Sequence, residues 1–218
     1  MAKHVLIFDF DGTLVDSMPL EFKAMIDTLH EYGHPEVNEG NLENYFGPTE
    51  KGILDHIIDD EDVMPEAWIY FLEEYVTLQD SLLFSLKGMS SLLEELSKKQ
   101  DLLLLLITGR SRETLDISLE KLGYDKYFAK CYAGSDDGVF KKENIQNVID
   151  DYQVDKEEIL YIGDTVSDIQ NMQELGVSIL SAAYCHKKEE EKKALEQLNP
   201  NRVAHSVEEL KEMIYKEI

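Results

Sequence analysis

The chain has 218 residues, 43% of them hydrophobic, and a formal net charge of -24 from 45 acidic against 21 basic residues. That length suits one large domain or a core with a smaller insert, and the apolar fraction excludes a disordered polymer. The acidic excess repels phosphate backbones and anionic membranes at long range, which argues against nucleic acid and membrane as partners and leaves cations attracted. Most of these charges read as solvated helix surface.

The opening "MAKHVLIFDFDG" reaches acidic residues too early for a secretory leader. "HVLIF" is a short apolar run, a first strand, and it ends on Asp9, Asp11 and Gly12. From about Asp16 to Leu82 no strand pattern appears. Phe22, Met25, Ile26 and Leu29 form one amphipathic face, with Gly33 placed to end the helix. Ile53, Leu54, Ile57 and Ile58 form a second face. Trp68, Phe71, Leu72, Tyr75 and Val76 form a third, which reads as core packing, and Pro65 suits its first turn.

Beyond residue 82 the two periods alternate. Met89, Leu92, Leu93 and Leu96 are helical, and "LLLLLI" at 102–107 is a strand buried on both faces, too short to span a bilayer. Leu115, Leu119 and Leu122 are helical, "KCYAG" is a strand, and Ile145, Val148, Ile149 and Tyr152 are helical. "EILYIG" and "VSILS" are two further strands. "HKKEEEKKALEQL" reads as a charged helix face without chemistry, and Ser206 with Glu209 makes a capping box before Leu210, Met213 and Ile214. Cys131 and Cys185 match no metal spacing and read as reduced, which fits a cytoplasmic chain. The alternation predicts an α/β fold: a doubly wound, Rossmann-like parallel sheet with a small all-helical domain inserted after the first strand. The core comprises residues 1–15 and 83–218, and the insert 16–82.

The acidic clusters carry the chemistry. Residues i and i+2 of a strand point to one side, so Asp9 and Asp11 leave the first strand towards a common space unless the turn intervenes. Two close carboxylates repel unless a cation or a shared proton lies between them. A calcium loop fails on spacing, because the glycine and acid it needs fall at Leu14 and Leu20. "YIGDTVSDI" repeats the arrangement: Asp164 follows a strand, and Asp168 shares its face if a helix begins there. Ligands of open α/β sheets bind beyond the carboxyl ends of the strands, so Asp9, Asp11 and Asp164 converge on a hard-oxygen site suited to Mg²⁺. "LLLLLITGR" adds Thr108 and Gly109, a hydroxyl and open backbone N–H groups for a phosphate. "GVFKKENI" adds Lys141 and Lys142 in the loop after the "KCYAG" run.

These motifs resemble the haloacid dehalogenase-like hydrolase superfamily over nearly the whole chain. "DFDGTLVDS" looks like the first motif, Thr108 the second, Lys141 the third and "GDTVSD" the fourth. "LKGMSSLLEEL" and "LEKLGYDKYF" read like its phosphoglycolate-phosphatase-like branch, with the helical insert as cap. Gly109 departs from the common asparagine, and Lys142 from the common proline. The resemblance implies Asp9 as nucleophile through an aspartyl-phosphate, and Asp11 as general acid and base. It implies Mg²⁺ held by Asp9, by the Asp11 carbonyl and by Asp164, with Asp168 completing or orienting the shell. Thr108 and Lys141 would hold the phosphoryl oxygens. Asp11 separates phosphoryl transfer from dehalogenation, whose enzymes lack it. The implied activity is a Mg²⁺-dependent phosphatase acting on a small phosphate ester such as phosphoglycolate or a sugar phosphate. A phosphomutase of the β-phosphoglucomutase type is the alternative, and a non-catalytic binding protein the third reading. In this branch cap residues select the leaving group, and "YFGPTEKGIL" offers Thr49, Glu50 and Lys51 as contacts. The sequence does not encode its oligomeric state legibly.

Overall fold

The computed structural model describes residues 4–45, 47, 49–136 and 141–218. Its sheet is built from β1 (Val5–Phe8), β2 (Leu103–Ile107), β3 (Lys130–Tyr132), β4 (Ile159–Gly163), β5 (Ser178–Ala182) and β6 (Val203–Ala204). The order is β3-β2-β1-β4-β5-β6, and every pairing is parallel. β1 lies centrally, with Val5 in register with Leu103 on one side and Ile159 on the other.

Period-two alternation divides the strands between two cores. Leu6, Phe8, Leu104, Leu106, Leu160 and Ile162 enter one. Val5, Ile7, Leu105, Ile107, Ile159 and Tyr161 enter the other. With helices on both faces, both sets are apolar, and the strands read as continuous hydrophobic runs. Each fully buried Leu or Ile contributes about 1.5–3 kcal/mol.

Three helices, α1 (Met18–Glu31), α2 (Glu50–Ile58) and α3 (Met64–Leu82), lie between β1 and β2 and form the cap. Pro65 sits in the first turn of α3, and Gly33 follows the end of α1 with φ +92°. Trp68, Phe71 and Tyr75 are buried as expected, whereas Val76 is exposed. The core helices are α4 (Met89–Ser97), α5 (Arg112–Leu122), α6 (Lys141–Tyr152), α7 (Val166–Leu175), α8 (Glu189–Leu198) and α9 (Val207–Glu217). Helices α6, α7 and α8 cover one face through Ile145, Val148, Ile169, Met172 and Leu195. The other is covered by α4, α5, α9 and the cap. At α9 the Ser206 hydroxyl accepts the Glu209 N–H, and the Glu209 carboxylate accepts from His205, one residue before the cap position expected for it. No helix of the described residues is long and apolar enough to cross a membrane. Both cysteines are free and half-buried, and burial pushes their thiols up to about 11 and about 12.

Candidate active site

The carboxyl ends of β1, β2 and β4 meet at the sheet centre. Asp9 continues the β1 line, donating its N–H to the Ile162 carbonyl of β4 at 2.8 Å. Its Oδ1 accepts the Phe10 N–H at 2.7 Å, which fixes the side chain. Its Oδ2 accepts from Lys141 Nζ at 2.5 Å, and the same ammonium donates to Asp168 Oδ1 at 2.7 Å. Of the two lysines, Lys141 is therefore the one that reaches the site; Lys142 pairs with Glu174 on the surface.

Asp9, Asp164 and Asp168 each present a carboxylate oxygen within 4.8 Å of the others. The helix-face reasoning for Asp164 and Asp168 is corrected here. Thr165 is the N-cap of α7, so Asp164 stands one residue outside the helix. A capping box holds Asp168 to Thr165, the residue after Asp164: Thr165 N–H and Oγ1 donate to Asp168 Oδ2, and Asp168 N–H donates to Thr165 Oγ1. Asp168 Oδ1 also accepts from Tyr161 Oη at 3.3 Å. Two close approaches need glycine. Gly12 has φ +69°, and a Cβ there would stand 2.0 Å from Asp164 Oδ2. A Cβ at Gly163 would stand 2.7 Å from Asp168 Oδ2.

After β1 the two acids take different partners. Gly12 N–H donates to the Val15 carbonyl, and the Asp11 carboxylate is held by Arg110 and Ser17, whereas Lys141 holds Asp9. Arg110 Nε donates to both Asp11 oxygens at 2.8 and 3.0 Å, and Ser17 Oγ donates to Oδ1. Arg110 is 3% exposed, and its guanidinium lies over the Phe10 ring at 5.1 Å.

Charge explains the protonation pattern. Burial pushes Asp9 up to about 7, against Lys141, which lowers it. Asp164 is raised well above the usual carboxylate range by burial and by the charges of Asp9 and Asp168. Burial also acts on Asp11 and Asp168, but Arg110 overcomes it at the first and Lys141 at the second, and both are held low. Three clustered carboxylates therefore face one lysine among the described residues, all hard oxygen donors and short of positive charge. That donor set fits a divalent cation such as Mg²⁺.

Thr108 is buried at the end of β2 and accepts the Arg110 N–H on Oγ1 at 3.3 Å; Gly109 follows it with backbone alone. In the cap, Thr49 is the N-cap of α2 and donates to Asp136, while Lys51 pairs with Asp136 at 3.6 Å. Glu50 is buried against the core, accepting from Ser111 N–H at 2.8 Å and Thr114 Oγ1 at 2.6 Å. Thr49 and Glu50 thus tie cap to core. Lys51 lines a cleft of about 450 Å³ with Tyr45, Asp55, His56 and Asp136.

Three participants escaped the sequence reading. Arg110 directly follows Thr108 and Gly109, so its position was a signal. Tyr161 lies in "EILYIG" on the face shared with Gly163, and alternation could have placed it. His186 stands in the charged segment read as lacking chemistry. Its Nε2–H donates to the Asp164 carbonyl at 2.7 Å, and Nδ1 faces Glu191 at 3.0 Å. No local pattern marks it.

A doubly wound parallel sheet with acids at its central strand ends and a helical inserted segment defines an α/β protein with an acidic site beyond the strand ends. The family model described as haloacid dehalogenase-like hydrolase matches residues 6–182, and the chain belongs to that family. Among curated relatives, a phosphoglycolate phosphatase of Vibrio parahaemolyticus is 26% identical over 96% of this chain and 95% of its own. A pyrophosphatase, PpaX, of Bacillus thuringiensis is 24% identical over 84% and 85%. A haloacid dehalogenase-like hydrolase from Streptococcus pneumoniae has the same fold, with a TM-score of 0.73, 24% identity and 98% of each chain covered. So does CbbY from Rhodobacter sphaeroides, solved with phosphate, at 0.71, 17% and 96% of each.

Proposed function

We propose that the protein is a Mg²⁺-dependent phosphatase acting on a small phosphorylated metabolite through a phosphoryl group carried on Asp9. The observation that carries this reading is the Asp9 carboxylate oriented by the Phe10 N–H and Lys141, beside Asp164 and Asp168. Asp9 and Asp164, with the Asp11 carbonyl, would hold the cation, and Asp168 orients Lys141. Bound there, the cation would screen the nucleophile's charge from the phosphate and offset charge on the transferring oxygens.

The chain's own residues perform the remaining work. An Asp9 oxygen attacks phosphorus in line, forming the Asp–O–P bond as the ester P–O bond breaks. Asp11 would serve as the acid–base group, delivering a proton to the leaving oxygen and then taking one from the water that releases phosphate from Asp9, which requires its proton-free pairing with Arg110 to give way when substrate binds. Thr108, the Gly109 backbone and Lys141 hold the phosphoryl oxygens and compensate their charge. Residues 16–82, as the cap, close over the site and exclude bulk water. Of the three cap residues, Lys51, which lines a cleft with Tyr45, Asp55, His56 and Asp136, would be the one to meet the leaving group.

The named relatives direct the substrate test. Parent enzyme with Mg²⁺ is assayed on p-nitrophenyl phosphate, phosphoglycolate, pyrophosphate and sugar phosphates, and Asp9→Asn is assayed beside it. Phosphate release by the parent and its loss in Asp9→Asn are expected. An Asp9→Asn protein as active as the parent overturns the reading.

A further inference from the structure

The Asp168 carboxylate is fully subscribed by protein donors. An ionised carboxylate offers about four acceptor positions. Oδ2 takes the Thr165 N–H at 3.0 Å and the Thr165 hydroxyl at 2.7 Å, and Oδ1 takes Lys141 Nζ at 2.7 Å and Tyr161 Oη at 3.3 Å. Asp168 and Tyr161 are both fully buried. A phenol is protonated at neutral pH, so Tyr161 is the donor.

The same tyrosine meets the lysine. Lys141 Nζ stands 5.9 Å from the centroid of the Tyr161 ring, within reach of a cation–π contact. The ring is fixed by its strand, where Tyr161 is in register with Ile7 of β1 and Ile179 of β5. Gly163 leaves room for it, since a Cβ there would stand 2.7 Å from Tyr161 Cε1. The ring thus faces the ammonium, and the hydroxyl faces one of the two carboxylates that share it.

Lys141 divides its donors between Asp9 Oδ2 and Asp168 Oδ1. How strongly Asp168 holds it depends on what else Oδ1 accepts. Without the Tyr161 hydroxyl, the ammonium is the remaining partner of Oδ1. A buried acceptor short of one donor draws the other closer. The ammonium then shifts towards Asp168 at the expense of Asp9.

We propose that Tyr161 is a positioning residue that shares Asp168 with Lys141 and so keeps the ammonium against Asp9. The inference rests on the phosphatase reading given above, in which Asp9 is the nucleophile. The hydroxyl touches Asp168 rather than the reacting atoms.

A double-mutant cycle separates positioning from a purely structural role. With Mg²⁺ present, kcat/KM for p-nitrophenyl phosphate is measured for the parent, Tyr161→Phe, Lys141→Met and the double variant. Tyr161→Phe keeps the ring and removes only the hydroxyl. The expected loss is about 10-fold where Lys141 is present and less than about twofold where it is already Met, the scale of coupling within one hydrogen-bonded network. A loss of the same size in both backgrounds overturns the proposal, as does a Tyr161→Phe protein as active as the parent. A parent inactive on every ester tested overturns the phosphatase reading, and urea midpoints of the four metal-free proteins then decide the link alone. A midpoint shift from Tyr161→Phe that differs between the two backgrounds supports it, and equal shifts overturn it.

Discussion

Glu50 of the cap accepts a hydrogen bond from the Ser111 N–H, the first residue of the turn into α5, at 2.8 Å. A side chain from one domain thus satisfies a helix start in the other, where N–H groups have no partner within the helix. Its second oxygen takes the Thr114 hydroxyl. Glu50→Ala leaves the Ser111 N–H buried and unmatched, while the Thr114 hydroxyl keeps Ser111 as a partner, so a loss of about 1–3 kcal/mol is expected. Urea unfolding measures it, and a change within error would remove Glu50 from the cap–core tie.

Lys141 and Lys142 are adjacent, yet their substitution should differ sharply. Lys141→Met removes the cation shared by Asp9 and Asp168 and should lower kcat/KM about 100-fold or more. Lys142 pairs with Glu174 at the surface, so Lys142→Met should stay within about twofold. Steady-state kinetics on an aryl phosphate reads both, and similar effects of the two would contradict the assignment.

The metal-free site should respond to pH with a definite sign. The folded pKa of Asp9, about 7, lies above its ordinary 3.8. Stability gained from its bound proton is complete below the ordinary value and is lost as pH rises through about 7. Mg²⁺ competes with that proton. The rise in Tm on adding Mg²⁺ should therefore be larger at about pH 8 than at about pH 6. A rise that is equal or reversed would count against Asp9 as a ligand.

His186 holds the Asp164 carbonyl through Nε2–H and faces Glu191 through Nδ1. His186→Phe frees the loop that carries Asp164. Mg²⁺ affinity should weaken about 10-fold or more, a range typical of partners that orient a metal ligand. Calorimetric titration with Mg²⁺ tests this without turnover, and unaltered affinity would show that the loop needs no such anchor.

The sheet and cap were legible because burial leaves a periodic trace. "LLLLLI" and "EILYIG" announced central strands, and three amphipathic faces announced α1 to α3. β6, two residues long, leaves no period to read. The acids at strand ends were legible as positions but not as orientations. The i, i+2 rule did not apply to Asp9 and Asp11 because β1 ends at Phe8, before either acid, and the i, i+4 rule did not apply at Asp164 because α7 starts two residues later. Arg110 and His186 act through partners far along the chain, Asp11 and Asp164, and only the fold brings them together; Tyr161 meets Asp168 across the strand-to-helix turn, 7 residues on. Thr49 and Glu50 stood out as cap residues facing the site, but whether such a residue meets substrate or the core depends on how the cap sits.

The central claim is that Asp9 carries the phosphoryl group. It is tested most directly by acid-quenching the enzyme during turnover of a phosphate ester with Mg²⁺ and mapping covalent phosphate by peptide mass spectrometry. The account predicts an acid-stable, hydroxylamine-labile phosphoryl group on the peptide containing Asp9, absent from Asp9→Asn. Turnover with the label on another residue, or undiminished turnover by Asp9→Asn, would contradict it.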